Sequence, residues 1–169
     1  MGNFTFNNEL VDNSQSAHSS FKRFVILVVM MLMTASSVFA NDVLEDIDGL
    51  IYRLNLKTKT ATLCINHDCS GDIVVPEKVE YYGATFSVVT FEDGCFGGCT
   101  GLTSITIPSS VTSLGDDCFA NCIGLTSITI PSSVTSLGDY CFKYCTGLTS
   151  ITIPSSVTSL GDNCFLYCI

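Results

Sequence analysis

The chain has 169 residues and a formal net charge of −9, and only 14% of its residues are charged, against ~25% in a typical soluble domain. This acidic balance argues against binding to nucleic acid, which requires a basic surface, and against binding to an anionic membrane surface. Histidine occurs only at His18 and His67, so an active site that depends on histidine has few places to form.

The first 40 residues have the organisation of a targeting segment. Residues 1–21 are polar and show no periodicity, and Lys22 and Arg23 precede an apolar run at residues 24–40. A positive n-region, an apolar h-region and small residues at the −1 and −3 positions predict a secretory signal peptide that is cleaved after Ala40. The alternative is an uncleaved membrane anchor through residues 24–40, although this run is shorter than the ~20 residues that span a bilayer. Both interpretations predict a secreted or cell-surface protein.

Residues 41–72 are predicted to form an N-terminal β cap that covers the end of the domain that follows. Four acidic residues close to its start are interpreted as a solvated lead-in: Asp42, Glu45, Asp46 and Asp48. Residues 49–63 then alternate apolar and polar side chains on both sides of Thr58-Lys59, which predicts a β-hairpin with a polar turn.

Residues 73–101 are a long and degenerate copy of a unit that recurs downstream. Residues 73–75 predict a strand that ends at Pro76, because proline has no N–H to donate to a neighbouring strand. Residues 81–89 predict a second hairpin, inserted into this copy, with its turn at Gly83.

Three nearly identical copies of one sequence repeat follow, at residues 102–124, 125–147 and 148–169. The period is 23 residues, and only four columns of the repeat differ among the copies. A fixed period of this length predicts a solenoid, in which each repeat buries its apolar side chains against its neighbours. We therefore assign residues 73–169 to the solenoid, with terminal units that are atypical.

Each full copy predicts one strand and one short helical turn. In the second copy of the unit, Leu102, Ile105 and Ile107 follow the L-x-x-L-x-L pattern of a leucine-rich repeat strand and should face inward. Asp116 has the character of a helix N-cap, residues 117–122 would form the helical turn, and a glycine would end it. The predicted fold class is thus a β-rich leucine-rich-repeat solenoid with an N-terminal β-hairpin cap.

The pattern LTSITIPSSVTSLG-x-x-CF-x-x-C resembles the BspA-like leucine-rich repeats, also called the Treponema pallidum type. The resemblance covers residues 73–169 well and residues 45–72 loosely. It implies a secreted or surface-attached protein, often adhesive, and some members of the family bind host matrix proteins or other bacteria. This chain departs from the family in being short, in stopping inside a repeat, and in having cysteine where alanine is more common: Cys95, Cys118, Cys141 and Cys164.

Ten cysteines suggest either disulfides or metal chemistry in a chain of this size. Eight of them fall into two columns of the repeat, for which buried free thiols are the main prediction and disulfides between repeats or a zinc or iron–sulfur site are alternatives. Cys64 and Cys69 form a separate candidate disulfide in a loop. His67 lies between them, but no third group is near enough in sequence to orient it for catalysis, so we predict no metal, no cofactor and no catalytic site.

Two surfaces are candidates for ligand binding. One is the outward face of the predicted strands, a hydroxyl array formed by Thr103, Ser104, Thr106, Thr126, Ser127 and Thr129. The other lies in the four variable columns and is formed by Tyr140, Lys143, Tyr144 and Tyr167, where tyrosine is a favourable interface residue. An acidic column at Asp93, Asp116, Asp139 and Asp162 also suggests a calcium ladder, although a single carboxylate per repeat lacks the further oxygen ligands that calcium requires.

These patterns predict a binding protein and not an enzyme, because no nucleophile, base and orienting group occur together. The leading hypothesis is a secreted or cell-surface adhesion module for an extracellular protein or glycan, with no nucleic-acid partner and with membrane contact only through residues 24–40. The alternative is a structural fragment of a longer array. In that case the apolar edge at Leu160 and Phe165 would favour end-to-end self-association.

Overall fold

The computed structural model describes residues 42–168, and the chain from residue 41 onward forms one unit. The predicted signal segment at residues 24–40 lies outside the described residues. The described residues form short strands joined by turns: β1 (Asp42–Ile47), β2 (Leu50–Asn55), β3 (Thr60–Leu63), β4 (Ser70–Val74), β5 (Lys78–Tyr81), β6 (Ala84–Phe91), β7 (Gly101–Thr106), β8 (Ser113–Leu114), β9 (Ser127–Thr129), β10 (Ser136–Leu137) and β11 (Ser159–Leu160).

The cap is an antiparallel meander of β1, β2 and β3. The hairpin predicted at residues 49–63 is confirmed as β2 and β3, with Lys59 in the turn at a φ of 58°. The segment interpreted as a solvated acidic lead-in forms strand β1, in which exposed and half-buried residues alternate. Val43, Glu45 and Ile47 are half-buried, whereas Asp42, Leu44 and Asp46 on the opposite face of the strand are exposed.

The larger sheet joins the cap directly to the repeats. Its strand order is β1-β2-β3-β6-β8-β10-β11, and β5 pairs with β6 beside this path. The hairpin predicted at residues 81–89 is confirmed as β5 and β6, with Tyr82 and Gly83 at the turn. β3, the last strand of the cap, pairs in parallel with β6 of the first repeat. The first repeat therefore stacks directly on the cap.

The smaller sheet is parallel and contains β4, β7 and β9, and a bridge between Thr129 and Thr152 extends it to the last repeat. Strands β7 and β9 and the bridged residue Thr152 come from the LTSITIP segments, as the sequence predicts. Leu102 and Ile105 are buried, whereas Thr103 and Thr106 are exposed. Each repeat thus supplies one strand to each sheet, and the two sheets enclose the core.

The GDxCFxxC segment differs from the prediction, because it forms consecutive turns and not a helical turn. Asp117 and Asn121 have φ of 50° and 62°, which interrupts any helix. Alternate backbone N–H groups of the segment bond to the next repeat: the Phe119 N–H donates to the Cys141 carbonyl at 2.8 Å, and the Asn121 N–H donates to the Lys143 carbonyl at 2.7 Å. These segments therefore form a third ladder along the solenoid.

The aspartate and the glycine of each repeat also have roles other than the predicted helix caps. The Asp116 carboxylate accepts the backbone N–H of Asp139 at 2.8 Å, one repeat further on. Gly124 does not adopt a positive φ, but a Cβ at this position would lie 2.5 Å from the Thr100 carbonyl oxygen. Gly124 is therefore required by the close approach of successive repeats, not by the end of a helix.

Four phenylalanines form the centre of the core, in one column of the repeats. The rings of Phe96, Phe119, Phe142 and Phe165 stack in parallel, with centroids 5.3 to 5.5 Å apart and interplanar angles of 1° to 8°. Burial of an aromatic side chain of this size dominates core energetics, and no single repeat encloses its own ring.

Within residues 42–168, no helix is both long enough and apolar enough to cross a membrane.

Candidate binding surfaces

The structure brings together the four residues predicted from the variable columns. The Lys143 ammonium lies 4.7 Å from the Tyr140 ring centroid and 5.4 Å from that of Tyr144. Tyr144 in turn stacks on Tyr167 of the next repeat, with centroids 4.9 Å apart and an interplanar angle of 12°. A cation over two rings, followed by a stacked pair, is a preorganised arrangement of large side chains on an exposed face. We call these four residues the tyrosine–lysine cluster.

The tyrosines of the cluster occupy an unfavourable backbone conformation. Tyr140, Tyr144 and Tyr167 have φ of 55°, 58° and 61°. This left-handed region costs roughly 1–2 kcal/mol for an ordinary side chain and is tolerated best by Gly, Asn and Asp. The other repeats follow this rule in the same two columns, with Gly94, Gly98, Asp117, Asn121 and Asn163.

Solvent reaches the rings of the cluster. Tyr144 is 39% exposed and Tyr167 is 53% exposed, so neither contributes a fully buried ring to the core. Lys143 is the only lysine or arginine in residues 102–169, and the aspartates of the adjacent column are exposed. The cluster therefore places aromatic edges, phenol hydroxyls and a single cation on an otherwise acidic face.

The hydroxyl array lies on the outer side of the smaller sheet, as predicted, but part of it is already engaged. Thr103 and Ser104 both donate hydrogen bonds of 2.7 Å to one carboxylate oxygen of Asp72, and these two bonds lower the pKa of Asp72. The Thr126 hydroxyl donates to the Thr103 carbonyl at 3.3 Å. The remaining members of the array, Thr106, Ser127 and Thr129, are exposed.

Comparison with known proteins identifies the repeats. The family described as BspA type leucine rich repeat region (6 copies) matches residues 75–169. The chain belongs to this family. No curated protein sequence matches the chain.

Solved structures of leucine-rich repeat proteins have the same fold. A leucine-rich cell surface protein of Faecalibacterium prausnitzii is 30% identical with a TM-score of 0.67, over 75% of this chain and 34% of that one. A leucine-rich repeat protein of Bacteroides ovatus is 28% identical with a TM-score of 0.58, over 79% and 33%. The T. pallidum leucine-rich repeat protein is 24% identical with a TM-score of 0.65, over 73% and 56%. The chain thus spans 33% to 56% of the length of these proteins.

The cysteine columns of these BspA-type repeats are free thiols inside the core. Cys122 and Cys145 donate S–H bonds of 3.1 Å to the carbonyls of Phe96 and Phe119 in the preceding repeat. Burial raises the pKa of the Cys145 thiol to about 12, which favours its neutral S–H form near neutral pH. Among residues 42–168, no three His, Cys, Asp or Glu side chains are arranged to hold a metal ion.

The candidate disulfide between Cys64 and Cys69 is not formed in the structure, which has both residues as free thiols. Their S–H groups point to different carbonyls, that of Thr62 for Cys64 and that of Asn66 for Cys69. His67 between them is exposed, at the edge of an open depression of about 390 Å³. The residue of this loop that sequence reasoning missed is Asn66, a buried polar side chain in a segment whose sequence has no distinguishing pattern.

Proposed function

We propose that this protein is a secreted or cell-surface binding protein that holds an extracellular protein or glycan on the tyrosine–lysine cluster. The fold is typical of binding proteins, and the Faecalibacterium relative is described as a cell surface protein. The net charge of −9 disfavours nucleic acid as the partner. The supporting observation is the position of the tyrosines: Tyr140, Tyr144 and Tyr167 occupy left-handed positions that the other repeats give to Gly, Asp and Asn.

A tyrosine at such a position is retained at a cost to folding. Strained backbone conformations persist where the surrounding structure enforces them, and they concentrate at functional sites. Tyr140 and Tyr144 can be compared directly with Asp117 and Asn121 of the preceding repeat. The two repeats are nearly identical in sequence, and these residues have the same backbone conformation. Since Asp and Asn serve these positions in another repeat, the fold does not require the rings, and ligand contact supplies a reason for their presence.

The test uses a variant that the chain itself suggests. Tyr140→Asp, Lys143→Ala and Tyr144→Asn together give the repeat at residues 125–147 the residues that the repeat at 102–124 carries, Asp117, Ala120 and Asn121. This variant should fold as well as the wild type or better. The full chain and the variant are applied to immobilised matrix proteins and to a glycan array, and the wild type should bind at least ten-fold more tightly.

A second variant separates the two candidate faces. Ser127→Ala with Thr129→Ala removes exposed hydroxyls from the smaller sheet without touching the cluster. Binding that survives this change and disappears in the repeat-exchange variant supports the cluster. Binding that behaves in the opposite way assigns the ligand to the hydroxyl array, and equal binding by all three proteins contradicts the proposal.

Self-association is a second candidate function, favoured by one observation. Leu160 in the last rung is 56% exposed, whereas Leu137 in the same column is 2% exposed. A further unit of the same shape would bury Leu160 and Ile153, which is 37% exposed, as the existing rungs bury their equivalents. Light scattering of the full chain tests this: Leu160→Glu should abolish any concentration-dependent growth in mass, and a monomer at all concentrations would exclude it.

A further inference from the structure

The thiols of Cys69 and Cys99 converge on a single backbone oxygen. The Cys99 Sγ lies 3.1 Å from the Asn66 carbonyl oxygen, and the Cys69 Sγ lies 3.9 Å from the same atom. Burial raises the pKa of Cys69 to about 11, and the neighbouring Cys99 thiol adds to this effect through a direct interaction. The two sulfurs are therefore neighbours within the structure, although 30 residues separate them in sequence.

This pair differs from the other neighbours in the same cysteine column. The later members, Cys99, Cys122 and Cys145, follow one another at the 23-residue period, so their side chains point in parallel. Cys69 lies outside this period. Cys69 nevertheless stands in the same column as Cys99, because the Asn66 N–H donates to the Cys95 carbonyl and the Asn66 carbonyl accepts the Cys99 S–H. The Cys69 S–H turns to the Asn66 carbonyl of its own rung, whereas the S–H groups of Cys122 and Cys145 bond to a carbonyl of the preceding repeat. The thiols of Cys69 and Cys99 therefore meet at one acceptor.

Access also distinguishes Cys69. It is half-buried, whereas Cys99 is 1% exposed and the next members of the column are fully buried. An external disulfide reaches Cys69 first, and Cys99 is then placed to attack the sulfur of Cys69. Cys64 is not in this position, because its own S–H points to the Thr62 carbonyl.

We propose that Cys69 and Cys99 form a disulfide in an oxidising compartment, which fastens the cap to the first repeat. The Cys69 thiolate attacks a low-molecular-weight disulfide such as oxidised glutathione, forms a mixed disulfide and releases one glutathione thiol. The Cys99 thiolate then attacks the Cys69 sulfur and displaces the second glutathione. Two protein thiols and one disulfide thus yield one protein disulfide and two thiols, so atoms and electrons balance.

The experiment maps the bond in the full chain. The protein is equilibrated in a glutathione buffer at pH 8.5, quenched with acid, alkylated and cleaved before aspartate. Cys69 is then on peptide 68–71, Cys99 is on peptide 93–115 with Cys95, and Cys64 is on peptide 48–67. We expect a linked pair of peptides 68–71 and 93–115 in most molecules, with fragmentation placing the bond at Cys99.

Two variants make the result decisive. Cys64→Ser should retain the linked peptides, whereas Cys69→Ser, at a half-buried position, should lose them and should keep the fold as judged by circular dichroism. Oxidation of the wild type should also raise the urea midpoint of unfolding, and Cys69→Ser should show no such rise. A bond between Cys64 and Cys69, or a Cys69 that remains fully alkylated after equilibration, overturns the proposal.

Discussion

The side-chain carbonyl of Asn66 accepts the backbone N–H of Ile51 at 2.9 Å, which ties the loop before β4 to strand β2. Asn66 stands where the repeats place their phenylalanine. Its N–H donates to the Cys95 carbonyl as that of Phe96 donates to the Cys118 carbonyl, and its own carbonyl accepts the S–H of the following cysteine column. The residues around Asn66 are therefore a rung of the solenoid in which an amide replaces the aromatic ring.

This position makes Asn66 the point at which the aromatic stack ends and the cap begins. Asn66→Ala should leave the part-buried Ile51 N–H without its partner, which lowers the free energy of unfolding by about 1–3 kcal/mol. Urea denaturation measures the loss. His67→Ala, at the exposed neighbouring residue, is the control and should change the unfolding free energy by less than about 0.5 kcal/mol. Equal effects of the two substitutions would contradict the capping role.

The repeats could be predicted from sequence because their period and their apolar columns are repeated. A strand with Leu102 and Ile105 inward, an aromatic column and two columns of buried cysteines follow from the period, since each residue type must meet its own copy in the next rung. The hairpin at Gly83 could also be predicted, because its turn residues separate two segments with the alternating apolar and polar pattern of strands.

What failed was the local interpretation of residues 116–124. Asp followed by a short segment and Gly is a typical pattern for a helix with both ends capped. Here, however, the N–H groups of Asp117, Phe119 and Asn121 donate to carbonyls of the next repeat. The sequence of a single repeat does not indicate hydrogen bonds that form only between stacked repeats. Asn66 was missed for a similar reason, because its partner Ile51 lies 15 residues earlier, on another strand.

The glycine before each aspartate should be intolerant of any side chain. A Cβ at Gly138 would lie 2.5 Å from the backbone nitrogen and from a carboxylate oxygen of Asp116, so the rungs would have to separate. Gly138→Ala should lower the unfolding free energy by about 1–3 kcal/mol, as is usual for overpacking. Ser132→Ala, at an exposed position of the same repeat, is the matched control. A Gly138→Ala protein as stable as this control would show that the rungs have room for a methyl group.

The aspartate column should act through an acceptor oxygen and not through its charge. Asp116 Oδ1 accepts the Asp139 N–H, and Asp139 in turn accepts the Asp162 N–H at 2.7 Å. Asp116→Asn keeps an oxygen in place and should leave the unfolding free energy within about 0.5 kcal/mol, whereas Asp116→Ala should lower it by about 1 kcal/mol. Thermal unfolding at several salt concentrations measures both. If Asn were as destabilising as Ala, the carboxylate charge would be the important feature.

Asp72 should titrate below an ordinary aspartate because Thr103 and Ser104 donate to its ionised form. A depressed pKa in the folded protein contributes stability that is present above the pKa of the unfolded chain and is lost as the pH falls through the folded pKa. Thr103→Ala with Ser104→Ala should raise the pKa of Asp72 toward its usual value. Carboxyl ¹³C chemical shifts across an acid titration measure it. Thr126→Ala is the control, because its hydroxyl bonds to a backbone carbonyl and not to Asp72. An Asp72 pKa that is the same in all three proteins would mean that the hydroxyl array does not hold this carboxylate in solution.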